Sequence, residues 1–291
     1  MPTCEFIDTF PAYLTYWDKV QHQSLEHQIE AWMSQYMSQW PELLEKQVED
    51  YTAQGADWRQ IAKRKVFPYL GARLFAMKKA HSNLLERCGP IYSIAQSKLG
   101  FESDVIFVIY VGIGCGAGWA TLFRGSPAIL FGLENIAECG WTDAEAIGGL
   151  VAHEFSHLVH YYWRQEYGKP MGSGPWWQLY EEGFAQYCES VILDTRVWHQ
   201  IIENENWLEW CESHKGWLAT EFLRYVDSGE SVSPFFGSWL HLDGKSETGY
   251  FLGYKLIRKL QEALDLKDIA LLDDVENHLR PLLERMAGFG G

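Results

Sequence analysis

Thr142-Asp143-Ala144-Glu145-Ala146-Ile147-Gly148-Gly149-Leu150-Val151-Ala152-His153-Glu154-Phe155-Ser156-His157-Leu158-Val159 is the stretch from which the rest of the chain is read. Thr142 to Glu145 has the form of a capping box, Thr followed three positions later by Glu, and predicts a helix start. Ala146, Ile147, Leu150, Val151, Leu158 and Val159 recur at helical spacing and give that helix an apolar stripe. His153 and His157 therefore fall mid-helix. Four residues apart, their imidazoles lie about 40° apart around the axis and one turn apart along it, so one metal ion can meet both. Glu154, about 100° further round from His153, reaches a water on such an ion rather than the ion itself.

Two histidines hold zinc poorly, and catalytic zinc sites use three protein ligands plus a water. An extension with Gly at position 160 and His at position 163 is absent, because His160 and Trp163 stand there. Tyr180-Glu181-Glu182-Gly183-Phe184-Ala185 offers a carboxylate on a second predicted helix, Trp177 to Leu193. Between the two, Gly168-Lys169-Pro170-Met171-Gly172-Ser173-Gly174-Pro175 is rich in turn residues and reverses the chain. A Glu on an antiparallel second helix then completes a His-His-Glu set.

H-E-x-x-H followed by E-G-F-A resembles the gluzincin superfamily of zinc metallopeptidases. A closer likeness is to a group of predicted bacterial zinc-dependent peptidases that add a downstream G-Y-x-x-G, matched here by Gly249-Tyr250-Phe251-Leu252-Gly253. The likeness covers roughly residues 101 to 260 and rests on three short motifs in order. It implies an α+β, mostly helical protein with a zincin-like catalytic domain, in which a small mixed β-sheet packs on the HExxH helix. It implies one Zn2+ per chain, held by His153, His157 and Glu182, the last being the Glu immediately before Gly-Phe-Ala. It also implies Glu154 as general base and a peptide or protein as substrate. The residue that stabilises the carbonyl oxygen would be Tyr250 first and His241 second. Gly132-Leu133-Glu134-Asn135 is similar to the G-x-M-E-N segment of the superfamily's aminopeptidases, with Leu133 in place of Met.

The chain departs from the superfamily at Gln186, four positions after Glu182, where many members carry an acid that orients a zinc-bound His. Glu189, two turns after Glu182, is the other candidate for that task. The departure motivates a competing reading, a non-catalytic module of the same fold that binds a peptide or protein. A zinc hydrolase of a non-peptide amide or ester is a further alternative. His160, three residues after His157, is open between a ligand, a group supporting a ligand and a surface residue. His81, His199, His214 and His278 sit in no motif.

The 291 residues include 47% hydrophobic and 15% aromatic side chains, with 14 Trp, enough for a large core. Net charge is −15, from 39 acidic against 24 basic residues, which excludes a phosphate-tracking nucleic-acid binder as the first reading. Six cysteines are scattered with no C-x-x-C, and the first residues lack a basic segment and an apolar core. Both observations point to a reducing cytoplasm.

Val105 to Phe123 runs 19 positions without a charge, the length of a membrane span. Gly112, Gly114, Gly116 and Gly118 interrupt it, and Val105 to Val111 is β-branched and aromatic, so two strands joined by a glycine-rich turn are expected instead, with no membrane span. Gly112-x-Gly114-x-x-Ala117 also fits a dinucleotide fingerprint, but the residues after it read as strand rather than helix, which disfavours nucleotide binding. Residues 1–100 read as a mostly helical N-terminal region, with Pro41, Gly55 and Gly89-Pro90 as breaks and Asp57 as a cap. Residues 101–291 read as the catalytic region. Candidate strands are Asp104 to Val111, Trp119 to Phe123 and Ala128 to Leu133, with Gly125-Ser126-Pro127 as a turn. Ala128 to Glu134 is either the sheet edge that would hold a substrate backbone or an ordinary internal strand. From about Val197 the chain is again helical, with Glu203, Glu205, Glu209 and Glu212 as solvated surface. Thr248 to Leu264 is a further helix, weakened by Gly253.

Overall fold

In the computed structural model, which describes residues 2–195, 198–199, 206–237 and 239–289, the chain is α+β and mostly helical, with a four-stranded mixed sheet. The readings at Val197, Glu203 and Glu205 lie outside the described residues. The chain divides into two compact units, Met1–Gln96 with Glu102–Glu154, and Ser97–Phe101 with Phe155–Gly291.

The strands are β1 (Cys4–Asp8), β2 (Val105–Tyr110), β3 (Gly118–Phe123) and β4 (Ser126–Gly132), in the order β1-β2-β4-β3. β1 and β4 both pair parallel to β2, and β3 pairs antiparallel to β4. Every residue of β2 is buried, as its unbroken apolar run requires. The uncharged stretch 105–123 thus resolves into β2, a glycine loop and β3, and no helix among the described residues is long and apolar enough to cross a membrane.

Two sequence expectations are corrected in this unit. β1 is missing from the candidate strands and joins the sheet from the far end of the chain. Of the two readings of Ala128 to Glu134, the internal strand holds: β4 lies between β2 and β3, and β3 is an edge. The turn is Arg124-Gly125 rather than Gly125-Ser126-Pro127, with φ of +52° and +74° at the two residues. Such a two-residue turn matches the twist of the strands it joins. Pro127, the second residue of β4, lies one residue before its pairing with β2 starts at Ala128, so no ladder bond to β2 is lost there.

Helices of the first unit are α1 (Phe10–Val20), α2 (Leu25–Ala31), α3 (Pro41–Ala53), α4 (Trp58–Ile61), α5 (Leu70–Leu99), α6 (Leu133–Glu138) and the start of α7 (Ala144–Glu166). Asp57 caps α4 through Arg59 N and Gln60 N. The expected break at Gly89-Pro90 is absent, because α5 runs through it. Leu70, Met77, Leu84 and Ile91 form a buried seven-residue repeat that ties both halves to the core, while Pro90 faces solvent.

The rest of α7 opens the second unit, followed by α8 (Pro175–Leu193), α9 (Trp207–Ser213), α10 (Lys215–Ser228), α11 (Thr248–Leu260), α12 (Leu266–Ala270) and α13 (Val275–Met286). α8 and α11 meet through Gly183 and Gly253. A Cβ on Gly183 would lie 2.3 Å from the Gly253 carbonyl carbon, and one on Gly253 would lie 2.5 Å from the Leu179 oxygen. The glycines of E-G-F-A and G-Y-x-x-G therefore record one helix-to-helix approach that no side chain fits.

Arg164 near the end of α7 is buried, and its guanidinium donates to the carbonyls of Pro170, Ala270 and Leu272 at 2.7–2.9 Å while lying over the Trp177 ring. Five donors in a planar fork suit this junction, which fixes both the reversal after α7 and the end of α12.

Candidate metal centre

α7 begins where Asp143 Oδ1 accepts from Glu145 N and Ala146 N, each at 2.9 Å, so Asp143 is the cap rather than Thr142. Ile147, Leu150, Val151, Phe155 and Val159 face the core and fix the helix rotation. That rotation leaves His153 3% exposed and Glu154 9% exposed. α8 starts at Pro175, which needs no N–H partner there, and presents Glu181 and Glu182 half-buried.

The ligand atoms of His153, His157 and Glu182 all lie within 4.8 Å of one another. His157 Nε2 is 3.4 Å from Glu182 Oε2. Ligands at about 2.0–2.1 Å around a tetrahedral zinc are separated by roughly 3.3 Å, so this pair already has the spacing of two zinc ligands. Two imidazoles and one carboxylate are also the donor types of catalytic zinc, and the residues fit that ion. Glu181 also borders His157, its Oε1 3.9 Å from His157 Nδ1, while its Oε2 accepts from Trp177 Nε1 at 2.9 Å and burial raises its carboxyl pKa. Glu182 is the carboxylate that groups with both histidines.

Glu154 reaches the sheet. Its Oε2 accepts from Ala120 N on β3 at 3.2 Å, and a Cβ on Gly118 would lie 2.4 Å from its Cγ. One glycine of the run is therefore required because the general-base candidate passes across the β3 backbone.

Gln186 stands four positions after Glu182, and the buried acid beside it is Glu189. Glu189 is fully buried and forms a second His/Glu group with His153 and His199, again within 4.8 Å. His199 N donates to Glu189 Oε1 and His199 Nδ1 faces Glu189 Oε2, both at 3.1 Å. Gln186 Nε2 donates to Glu189 Oε2 at 2.7 Å, so Gln186 steadies the carboxylate instead of replacing it. His199 carried no motif in the sequence. The single signal that could have found it was Glu189, two turns from Glu182 on α8, a buried acid in need of a partner.

His160 is not at the surface. Its ring packs against Trp177, Tyr180 and Phe184, and Nε2 lies 3.2 Å from the Ala270 oxygen. Burial, reinforced by Arg164, lowers its pKa to about 3, so it stays neutral. Tyr250 sits in the first turn of α11, its ring edge-on to Phe236, one turn before Gly253. His241 is exposed beside the Leu242–Lys245 bridge, and no described contact joins it to the histidines.

Glu134 is buried at the start of α6, and its oxygens accept from Gly112 N at 2.7 Å and Gly114 N at 3.2 Å. A Cβ on Gly112 would meet Gln47 and Glu134. The carboxylate is used up in holding the glycine loop, which separates it from the G-x-M-E-N likeness. Burial raises its pKa to about 7 against the opposing pull of the two amides.

No family model, curated protein or solved structure matches this chain.

Proposed function

We propose that this protein is a zinc-dependent peptidase of gluzincin type with a zincin-like catalytic fold. The observation that carries the reading is the convergence of His153, His157 and Glu182, with Glu154, next to His153 on α7, reaching the edge strand β3. His153, His157 and Glu182 would hold one zinc ion. When bound, zinc lowers the pKa of a water toward about 7 and draws charge from a carbonyl oxygen.

The chain's own residues supply the rest. β3 is an edge strand whose outer side carries the Ala120 N–H that Glu154 accepts, so an extended peptide adds to that side by main-chain hydrogen bonds beside Glu154, antiparallel or parallel to the strand. Glu154 takes a proton from the attacking water as its oxygen bonds to the peptide carbon. It returns that proton to the amine nitrogen as the C–N bond breaks, leaving a carboxylate and an amine. Glu189, held by His199 and Gln186, keeps the His153 ring in place. Tyr250 is favoured over His241 as the donor to the carbonyl oxygen, because α11 is locked to α8 at Gly253 and Gly183, one residue from Glu182.

The competing module without catalysis drew on Gln186 as a missing acid, and Glu189 supplies that acid. A peptide-library digest read by mass spectrometry, with and without chelator, tests the proposal. Chelator-sensitive cleavage, abolished in Glu154→Gln with zinc retained, is expected. Undiminished cleavage in that variant, or zinc-loaded protein that cleaves nothing, overturns it.

A further inference from the structure

From Trp58 to Leu85 the chain has seven Lys and Arg residues and no Asp or Glu, in a protein whose net charge is −15. The segment lies wholly in the first unit and runs through α4, a π turn (Ala62–Val66), a 3-10 turn (Phe67–Tyr69) and the first half of α5. Arg59, Lys63 and Arg73 pair with Glu30, Glu26 and Glu138. Arg64, Lys65, Lys78 and Lys79 are exposed.

The outer face of α5 is built from Gly71, Ala72, Phe75, Lys78, Lys79 and Ser82, a spacing of three and four that places them on one side. It spans about 17 Å along the axis. Phe75 stands in its middle and is 81% exposed, and Tyr69 at its N-terminal end is 49% exposed. Phe75 is about 200° around the helix from the core residue Met77, so its exposure follows from its position in the repeat. Exposed Glu86 ends the patch.

We propose that this face docks on a lipid bilayer bearing anionic headgroups. An aromatic ring projecting from a helix face, flanked by lysines, enters a deformable interface while the ammonium groups stay among the headgroups. A second copy of the same face is disfavoured as occupant, since a two-fold contact would bring the basic residues together. An acidic polypeptide needs a groove to seat its side chains, and this face is a helix crest.

Vesicle flotation of the full chain tests this, with phosphatidylcholine alone or with one quarter phosphatidylserine. Binding to the second and not the first is expected, and its loss at about 1 M salt, where the screening length is about 3 Å. Lys78→Gln with Lys79→Gln should weaken binding about thirtyfold, near fivefold per lysine. Phe75→Ala should weaken it about tenfold, with an unchanged melting curve. Lys215→Gln with Lys259→Gln, exposed lysines in the other unit, should leave it unchanged. No binding to anionic vesicles at low salt overturns the proposal, as does equal binding to neutral ones. Equal loss in the Lys215/Lys259 variant overturns it too. Self-association that Phe75→Ala abolishes, or capture of poly-glutamate without vesicle binding, assigns the face to another occupant and likewise overturns it.

Discussion

Gly183→Ala is the most direct test of how the fold holds Glu182. The added Cβ would lie 2.3 Å from the Gly253 carbonyl carbon and 2.5 Å from its Cα, both main-chain atoms that cannot rotate away. Ordinary carbon contacts are about 3.5 Å or more, so α8 and α11 must part by about 1 Å. Overpacking of this kind costs about 1–3 kcal/mol, which lowers the melting temperature by roughly 3–10 °C. The strain falls on the residue next to Glu182, so zinc affinity should drop as well. Any peptidase turnover should fall about 100-fold, the cost of a 1 Å misplacement. Scanning fluorimetry, zinc titration against a chelating dye and the peptide digest read the three effects. Gly148→Ala is the control within α7: its Cβ meets only Ile91 Cδ1, at an ordinary 3.9 Å, so it should stabilise by about 0.5–1 kcal/mol. A Gly183→Ala protein that melts and binds zinc like the parent would refute the close-approach argument.

Other expectations follow from the same geometry. Glu154→Gln should retain zinc and lose about 100- to 10,000-fold in turnover, the worth of a general base; steady-state kinetics check this. Gly118→Ala should push Glu154 aside and lower kcat while the metal content, measured by atomic emission, stays the same. Glu189→Gln or His199→Ala should weaken zinc binding about 10- to 100-fold in the same titration. Glu134 links stability to pH. Its folded pKa of about 7 lies above the ordinary carboxylate value of 4.5, so the folded state holds the proton longer than the unfolded chain. Stability from this group is therefore full below pH 4.5 and lost by about 3 kcal/mol as pH rises through 7. Glu134→Gln should flatten that part of a denaturation-versus-pH profile, measured between those limits.

Much of the local structure was legible because it is written in short-range patterns. α7, the turn-rich reversal, the α8 carboxylate and three strands all follow from spacing and turn chemistry within a few residues. The failures share a long-range cause. β1 is five residues whose strand character depends on pairing with β2, about a hundred positions away. Edge and interior stayed open for β4 for the same reason: it is internal because β1 and β3 take the two outer places, a matter of topology that no single strand encodes. Pro90 stays helical because residues on either side are buried on one stripe. At the site, His199 was hidden because its relation to Glu189 is spatial. Gly253 reads as helix-weakening until it is seen to face Gly183. His160 was open between a ligand, a supporting group and a surface residue, because its neighbours Trp177, Tyr180 and Phe184 come from a different helix.

Arg164 meets three acceptors that are all main-chain oxygens. Every amino acid carries that oxygen, so these bonds do not depend on which side chains stand at 170, 270 and 272, although Ala270 is itself buried and has no room to grow. Position 164 has no such latitude: lysine's three donors leave from one nitrogen where three carbonyls converge, and no other side chain keeps a planar fork. The seam between the α7 reversal and the α12 end is thus held by a lock whose keyhole is generic and whose key is a single residue. A saturation scan of the chain should register it most sharply at 164, where every substitution removes the fork, and at 270 only for residues larger than the buried alanine.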